Sequence, residues 1–321
     1  MKCQSVKVSR CQGAKVPRFG RIGVLAGGPS NEREISLRSG KAVHGALLSE
    51  GFDAVLLDVK DNIRDAIAAN MINVAFIALH GRFGEDGTVQ KILEDANIPY
   101  TGSDVEASRL ALDKIASKEV FIKNNIPVPA YMVFEKNRYS TDAADSLGYP
   151  LVVKPQFEGS SIGLSIVREK KLLKEALDKA FLYGDRLLLE QYIEGRELTV
   201  GILENKALPV IEIVTRHKVY DYEAKYKNAD TEYLVPARID KSAYKNASLL
   251  GVMAHKALGC NSFSRVDIMM KKDGKMFVLE VNAIPGMTER SLLPKAAEAI
   301  GLRFSDLCVK ILENALARAG K

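Results

Sequence analysis

The 321-residue chain has no two cysteines in CxxC spacing; Cys3, Cys11, Cys260 and Cys308 stand apart, two of them within the first eleven positions. That pattern offers neither a thiolate metal site nor a disulfide framework, so a reducing compartment is expected. No apolar run reaches the roughly 18 residues that a membrane span requires; the longest candidates are short strands such as Val74 to Leu79. Residues 1–20 lack the hydrophobic segment of a signal peptide and read as a flexible basic extension, which leaves a cytoplasmic protein with no membrane partner. No GxxxxGK(S/T) loop occurs, which excludes the Walker arrangement for phosphates. GxGxxG is also absent, which disfavours a dinucleotide site. No internal repeat is found, so a stacked-repeat architecture is not expected.

What is present is an ordinary globular composition, 47% hydrophobic and 27% charged. The formal charge of +6 owes much to Lys2, Lys7, Arg10, Lys15 and Arg18. Without them the balance is close to neutral, so a nucleic-acid partner is not expected. From Arg21 the order strand, glycine turn, helix, strand, helix, strand (Ile22 to Leu25, Ala54 to Asp58, Val74 to Leu79) describes a parallel sheet with crossover helices. An α/β domain of about ninety residues, 21–112, follows. A helix from Lys114 to Asn125 leads into Ile126-Pro-Val-Pro129, whose prolines force an extended passage. A second, α+β unit over 113–203 would hold strands at Leu151 to Lys154, Leu187 to Gln191 and Glu197 to Leu203, with a helix near Lys170 to Leu182. In the remainder, 204–321, a tyrosine-rich polar stretch from Thr215 to Glu232 is too long for a simple connection and reads as an active-site loop. A helix from Ala243 to Leu258 and strands at Val266 to Met270 and Met276 to Val281 follow it.

The chemistry concentrates in a few segments. Asp273-Gly274 between two apolar runs predicts a hairpin with a two-residue turn. Pairing Lys272 with Lys275 sets Asp267 opposite Glu280 and Arg265 opposite Asn282. Like charges so opposed cost a few tenths to about 1 kcal/mol, so a cation should sit between them. Asp267, Glu280 and Asn282 supply hard oxygen donors, which favour Mg²⁺ or Mn²⁺ and, with Mg²⁺, nucleotide phosphates; a solvated hairpin edge is the alternative. In LVVKPQFEGSSIG, Lys154 ends an apolar strand and needs an anionic partner, while the Gly/Ser turn after it can wrap phosphate oxygens. Glu32 lies near a helix start fit for a small ligand, after Gly27-Gly28. HGRFGEDG places His80 at the carboxyl end of the third strand, where open sheets bind ligands. Pro285-Gly286 brings the Gly286 N–H beside the proposed metal strand, where Arg265 can join it in stabilising an oxyanion. Ser291 precedes a helix and either binds a carboxylate or simply caps that helix. His44, His217 and His255 are assigned no role.

In this order and spacing, GGPSNEREISLRSG, HGRFGEDG, KPQFEGSSIG, YDYEAKY, RVDIM and LEVNAIPGMT resemble the D-alanine:D-alanine ligases of the ATP-grasp superfamily, from about Arg21 to the C-terminus. The resemblance implies a three-part fold with ATP between two antiparallel sheets, and ligation of two D-alanines through an acylphosphate for peptidoglycan synthesis. It implies that Lys114, Lys154 and Ser161 contact the phosphates, Glu190, Tyr192 and Ile193 the adenine, and Glu197 the ribose. It further implies that Asp267, Glu280 and Asn282 hold two Mg²⁺ or Mn²⁺ ions. Glu32, linked through Ser160 to Tyr226, would take the first D-alanine; Lys225 would lie on the lid with Tyr226. Arg265 and Gly286 would form the oxyanion site, and Ser291 and Leu292 grip the second carboxylate. A homodimer is expected by the same likeness. Ala283 stands where threonine is commoner, and Asn261 to Ser264 replace a glycine-rich approach to Arg265. The competing readings are a ligase for other carboxylates and amines, such as the D-lactate or D-serine type, and a nucleotide-binding protein without catalysis.

Overall fold

The computed structural model describes residues 19–60, 63–215 and 231–319. The basic extension, Lys225 and Tyr226 lie outside them. The chain opens with β1 (Ile22–Gly27), α1 (Arg33–Ser49), β2 (Ala54–Val59), α2 (Ile63–Asn70) and β3 (Val74–Ile77). These strands form a parallel sheet in the order β2-β1-β3. β1 and β3 are buried along their whole length, as expected of apolar runs covered on both faces. β3 ends at Ile77, two residues before the apolar run does; the Ala78 N–H still donates to the Leu25 carbonyl at 2.9 Å, and the buried His80 follows.

After α3 (Thr88–Asp95), α4 (Val105–Leu112) and α5 (Lys114–Lys123) comes a four-stranded antiparallel sheet ordered β4-β7-β5-β6, with β4 (Tyr131–Glu135), β5 (Leu151–Pro155), β6 (Ser165–Val167) and β7 (Arg186–Gln191). The Asp113 carboxylate caps α5, accepting from the Ile115 and Ala116 N–H groups, each at 3.0 Å. The helix expected near Lys170 to Leu182 is shorter: a 3₁₀ turn at Lys170–Leu172 leads into α6 (Leu173–Ala180). A second antiparallel sheet runs β11-β10-β8-β12-β13, with β9 also on β8; its strands are β8 (Arg196–Leu203), β9 (Lys206–Ala207), β10 (Ile211–Thr215), β11 (Thr231–Leu234), β12 (Phe263–Met270) and β13 (Met276–Asn282). Helix α7 (Lys241–Ala257) packs on β8 and β12, and α8 (Leu292–Glu298) and α9 (Phe304–Ala319) close the chain. Leu307, Ile311 and Leu312 of α9 share one core with Ile22 and Val24 of the first sheet and Val43 of α1, so the N-terminal layer is completed by the chain's last helix.

The hairpin departs from expectation in an instructive way. Lys271, not Lys272, faces Lys275: the Lys271 N–H donates to the Lys275 carbonyl at 2.8 Å, and the Gly274 N–H to the Lys271 carbonyl at 3.0 Å. The loop therefore has three residues, with Gly274 left-handed at φ 85°. Near the turn the register is one residue off, with Met270 opposite Met276 and Ile268 opposite Val278. An irregularity between Asp267 and Ile268 then passes over Leu279, so that Asp267 faces Glu280 and Arg265 faces Asn282 after all.

Candidate active site

A cleft with two chambers lies where the three sheets meet. One, of about 900 Å³, is lined by Glu32, Ser39, His80, Glu85, Arg265, Asn282, Gly286, Ser291 and Leu292 among others. The other, of about 460 Å³ between the two antiparallel sheets, is lined by Lys154, Ser161, Glu190, Tyr192, Ile193, Glu197 and Asp267. Lys114, Gly159, Ser160 and Glu280 border both chambers.

In the larger chamber, the turn after β1 and the start of α1 present Glu32 to the loop after β5, where the Ser160 hydroxyl donates to Glu32 Oε1. The fit is close: a Cβ on Gly159 would lie 2.6 Å from Glu32 Oε2. His80 sits beneath, its Nε2 3.1 Å from Ser39 Oγ and its Nδ1 3.5 Å from Glu85 Oε1. Burial pulls the His80 imidazole down, but Glu85 and then Glu32 outweigh it and leave its pKa raised. Ser39 Oγ also accepts from the Met287 N–H at 3.2 Å, tying α1 to the turn that carries Gly286. Ser291 occupies the N-cap position of α8 yet makes no side-chain cap bond. Its hydroxyl instead accepts from the Thr288 N–H at 3.1 Å, and a Cβ on Gly286 would sit 3.0 Å from it. Plain helix capping is thus ruled out as the role of the Ser291 side chain in this conformation.

Between the chambers, Arg265 and Asp267 share one face of β12, where alternate residues point the same way. Arg265 Nε and Nη2 reach Asp267 Oδ1 and Oδ2 at 2.9 and 2.8 Å, and Thr199 Oγ1 donates to Oδ1 at 2.6 Å. Lys114 Nζ lies 3.8 Å from Glu280 Oε2 and donates to the Glu158 carbonyl at 2.5 Å. The charge that opposed acids demand is thus shared by Arg265 and Lys114. Asn282 Oδ1 accepts from the Ile284 N–H at 3.0 Å. Asp267, Glu280 and Asn282 together offer only oxygen donors from facing strands, which suits a hard divalent cation. Two acids and an amide fall short of a cluster of three His, Cys, Asp or Glu, and none such occurs among the described residues.

In the smaller chamber the loop over Ser160 and Ser161 takes two consecutive left-handed residues, φ 47° and 60°, which turns successive N–H groups to one side in the manner of an anion-binding nest. Glu190 on β7 is 2% exposed and is met on both oxygens: Oε1 by Lys118, Oε2 by Lys154 at 2.7 Å. Burial pushes this carboxyl up, but the fields of Lys118 and then Lys154 prevail and hold it down to about 2. Tyr192 and Ile193 continue from β7, the Tyr192 N–H donating to the Pro150 carbonyl at 3.1 Å. Glu197 lies on β8 opposite Met269.

Sequence reasoning passed over Lys118, Glu85 and Thr199. Glu85 stood inside HGRFGEDG, and Lys118 stood one helical turn after Lys114, a spacing that puts both on one helix face. Thr199 carried no local signal, since only the β8–β12 pairing brings it to Asp267.

Models of two families match the chain: "D-ala D-ala ligase C-terminus" over residues 120–313 and "D-ala D-ala ligase N-terminus" over residues 59–103. A D-alanine–D-alanine ligase of Geotalea uraniireducens (strain Rf4) is 48% identical over 295 residues, 92% of this chain and 95% of the relative. That of Geobacter sulfurreducens is 47% identical over 296 residues, covering 92% and 94%. Among solved structures, the Bacillus anthracis D-alanine–D-alanine ligase complexed with ATP superposes with a TM-score of 0.84 at 34% identity, over 94% of this chain and 98% of that one.

Proposed function

Because the chain belongs to the D-alanine–D-alanine ligase family, we propose that its two-chambered cleft joins two D-alanine molecules, with ATP cleaved to ADP and phosphate, to supply D-alanyl-D-alanine for peptidoglycan. The observation that carries the reading is the shared border of Lys114, Gly159, Ser160 and Glu280: a nucleotide in the smaller chamber and an amino acid in the larger would meet where phosphoryl transfer must occur.

The chemistry follows from the side chains. Glu32 and Ser160 hold the ammonium of the first D-alanine, leaving its carboxylate to attack the γ-phosphorus while Lys114, Lys154 and the Ser161 loop balance charge on the phosphates. Tyr192 and Ile193 flank the adenine beside Glu190, and Glu197 takes the ribose. Asp267, Glu280 and Asn282 would hold Mg²⁺ or Mn²⁺, two ions by resemblance, which when bound neutralises the outer phosphates. The second D-alanine, its carboxylate held at Ser291 and Leu292, attacks the acyl carbon with its amine. Arg265 and the Gly286 N–H then face the oxyanion, and phosphate departs. His80 orients the larger chamber from below through Ser39. Lys225 and Tyr226 are assigned to the lid, which keeps water from the acylphosphate.

We assign the division into 21–112, 113–203 and 204–321 to the three parts of the ATP-grasp fold, except that β8 (Arg196–Leu203), which pairs with β10 and β12, goes with the third part, and expect a cytoplasmic homodimer. Among the described residues no helix is long and apolar enough to cross a membrane. The test is phosphate release from ATP: it should require D-alanine, fail with L-alanine, stop on chelation and return with Mg²⁺ or Mn²⁺. Release without dipeptide formation, or indifference to the amino acid's chirality, refutes the substrate assignment. Equal turnover with D-alanine and D-lactate as second substrate would shift the reading to a depsipeptide-forming relative.

A further inference from the structure

A carboxylate that neither oxygen shares with water needs one counter-charge, yet Glu190 has two. They differ in kind. Lys154 lines the smaller chamber. Lys118 is 0% exposed and sits behind Glu190, with the Tyr131 ring centroid 5.8 Å from its Nζ. Among the described residues Glu190 is its one ion-pair partner. The arrangement follows from the fold: Glu190 faces Val152 on β5, so Lys154, two residues on, projects from the same face, while α5 brings Lys118 in from the side. Lys114, one turn earlier on that helix, reaches the border of the two chambers.

We propose that Lys118 is a positioning residue for the nucleotide: it is the permanent counter-cation of Glu190, and by satisfying that acid from behind it leaves the charge of Lys154 uncommitted for ATP. With Lys154 alone, Glu190 and Lys154 would close into a neutral buried pair, and drawing the lysine toward a phosphate would strand a charged acid in the interior. Burial pulls the Lys118 ammonium down and the Glu190 carboxylate opposes that pull; with Lys118 charged the trio carries one net positive charge, and it is expressed at the member of the two lysines that reaches the cleft. Glu190 meanwhile stays ionised and oriented whether or not Lys154 has turned. This inference rests on the smaller chamber being the ATP site.

The experiment is steady-state kinetics on the full chain with ATP and D-alanine varied separately. Lys118→Met should raise KM for ATP by about tenfold or more while kcat and KM for D-alanine stay within about threefold, because only the nucleotide contact is recommitted. Lys118→Arg, which keeps the charge, should bring KM for ATP back to within about threefold of the parent. In a Glu190→Gln background no acid remains to capture Lys154, so adding Lys118→Met should change KM for ATP by less than about twofold. If Lys118→Met does not fold, Lys118→Gln reads the same quantity in both backgrounds. An unchanged KM for ATP in Lys118→Met, or the same fold-increase in both backgrounds, overturns the proposal. Lys154→Met separates the two levels: if it leaves KM for ATP unchanged, the chamber is not the ATP site; if it raises KM while Lys118→Met does not, only the role of Lys118 falls.

Discussion

His255 should make the protein sensitive to mild acid. It lies on α7 with 0% exposure, its Nδ1 2.7 Å from Ser264 Oγ and its Nε2 without a hydrogen-bond partner among the described residues. Burial, with a smaller push from Lys256, lowers its pKa to about 4 from the ordinary 6.5. A histidine whose folded pKa lies below its unfolded one binds protons preferentially in the unfolded chain. Its contribution is therefore fully present above pH 6.5 and is lost as pH falls toward 4. At about 1.4 kcal/mol per pH unit the whole window is worth about 3 kcal/mol, of which about 2.5 kcal/mol is gone by pH 4.5. His255→Gln keeps a neutral polar group in the same place and removes the titration. Urea unfolding followed by circular dichroism, which suits a chain without tryptophan, should show the parent losing about 2.5 kcal/mol more than the variant between pH 7 and 4.5. Carboxylates that titrate lower down are common to both proteins and cancel. Parallel pH profiles for the two proteins would refute the reasoning.

Three further outcomes are expected. Arg265→Lys breaks the two-pronged contact with Asp267 and removes an oxyanion donor, so kcat should fall by about 10²–10³ with an unchanged circular dichroism spectrum; near-parental turnover removes Arg265 from the chemistry. Gly159→Ala places a Cβ 2.6 Å from Glu32 Oε2, which must move away, so KM for the first D-alanine should rise by about tenfold; an unaltered KM would show that Glu32 does not hold that substrate where it stands. Gly45→Ala meets nothing within 4 Å on the exposed side of α1 and should stabilise the protein by about 0.5–1 kcal/mol, read as a higher urea midpoint; a lower midpoint would contradict the open space seen there.

The parallel sheet was legible because unbroken apolar runs and glycine turns are local signals, and β1 to β3 begin where those runs begin. β6 and β9, three and two residues long, are too short for any periodicity, and β10 and β11 bracket the polar stretch that hid them. The hairpin shows the limit most clearly. Asp273-Gly274 signals a turn, but the choice between two and three loop residues depends on the left-handed Gly274 and on how β12 docks on β8, neither of which is written locally. The expected facing of Asp267 and Glu280 was reached through a turn one residue too short and an irregularity not foreseen, two offsets that cancel. At the site, Glu85 stood inside a contiguous motif and was still passed over, because its partner His80 is met only in the fold, while Thr199 and Lys118 reach Asp267 and Glu190 only through tertiary pairing.

The same pairing gives the cleft a common electrostatic plan. Asp267 is matched to Arg265, Glu280 to Lys114, Glu190 to Lys118 and Lys154, and Glu85 to His80, all before any substrate enters. Buried acids and bases left single would cost several kcal/mol each, so a folded cleft this polar must supply its own counter-charges. On the proposed assignment those stand-ins differ in what binding asks of them. Arg265 and Lys114 must yield their acids to a divalent cation and turn to the reacting groups, and Lys154 must turn to the nucleotide. Lys118, behind Glu190, and His80, in the wall of the larger chamber beneath Ser39, stay where they are. Mutations of the first group should therefore act mainly on turnover or substrate affinity. In the second group, by contrast, a lost charge should be recoverable by neutralising its partner, as the Lys118 and Glu190 variants would reveal.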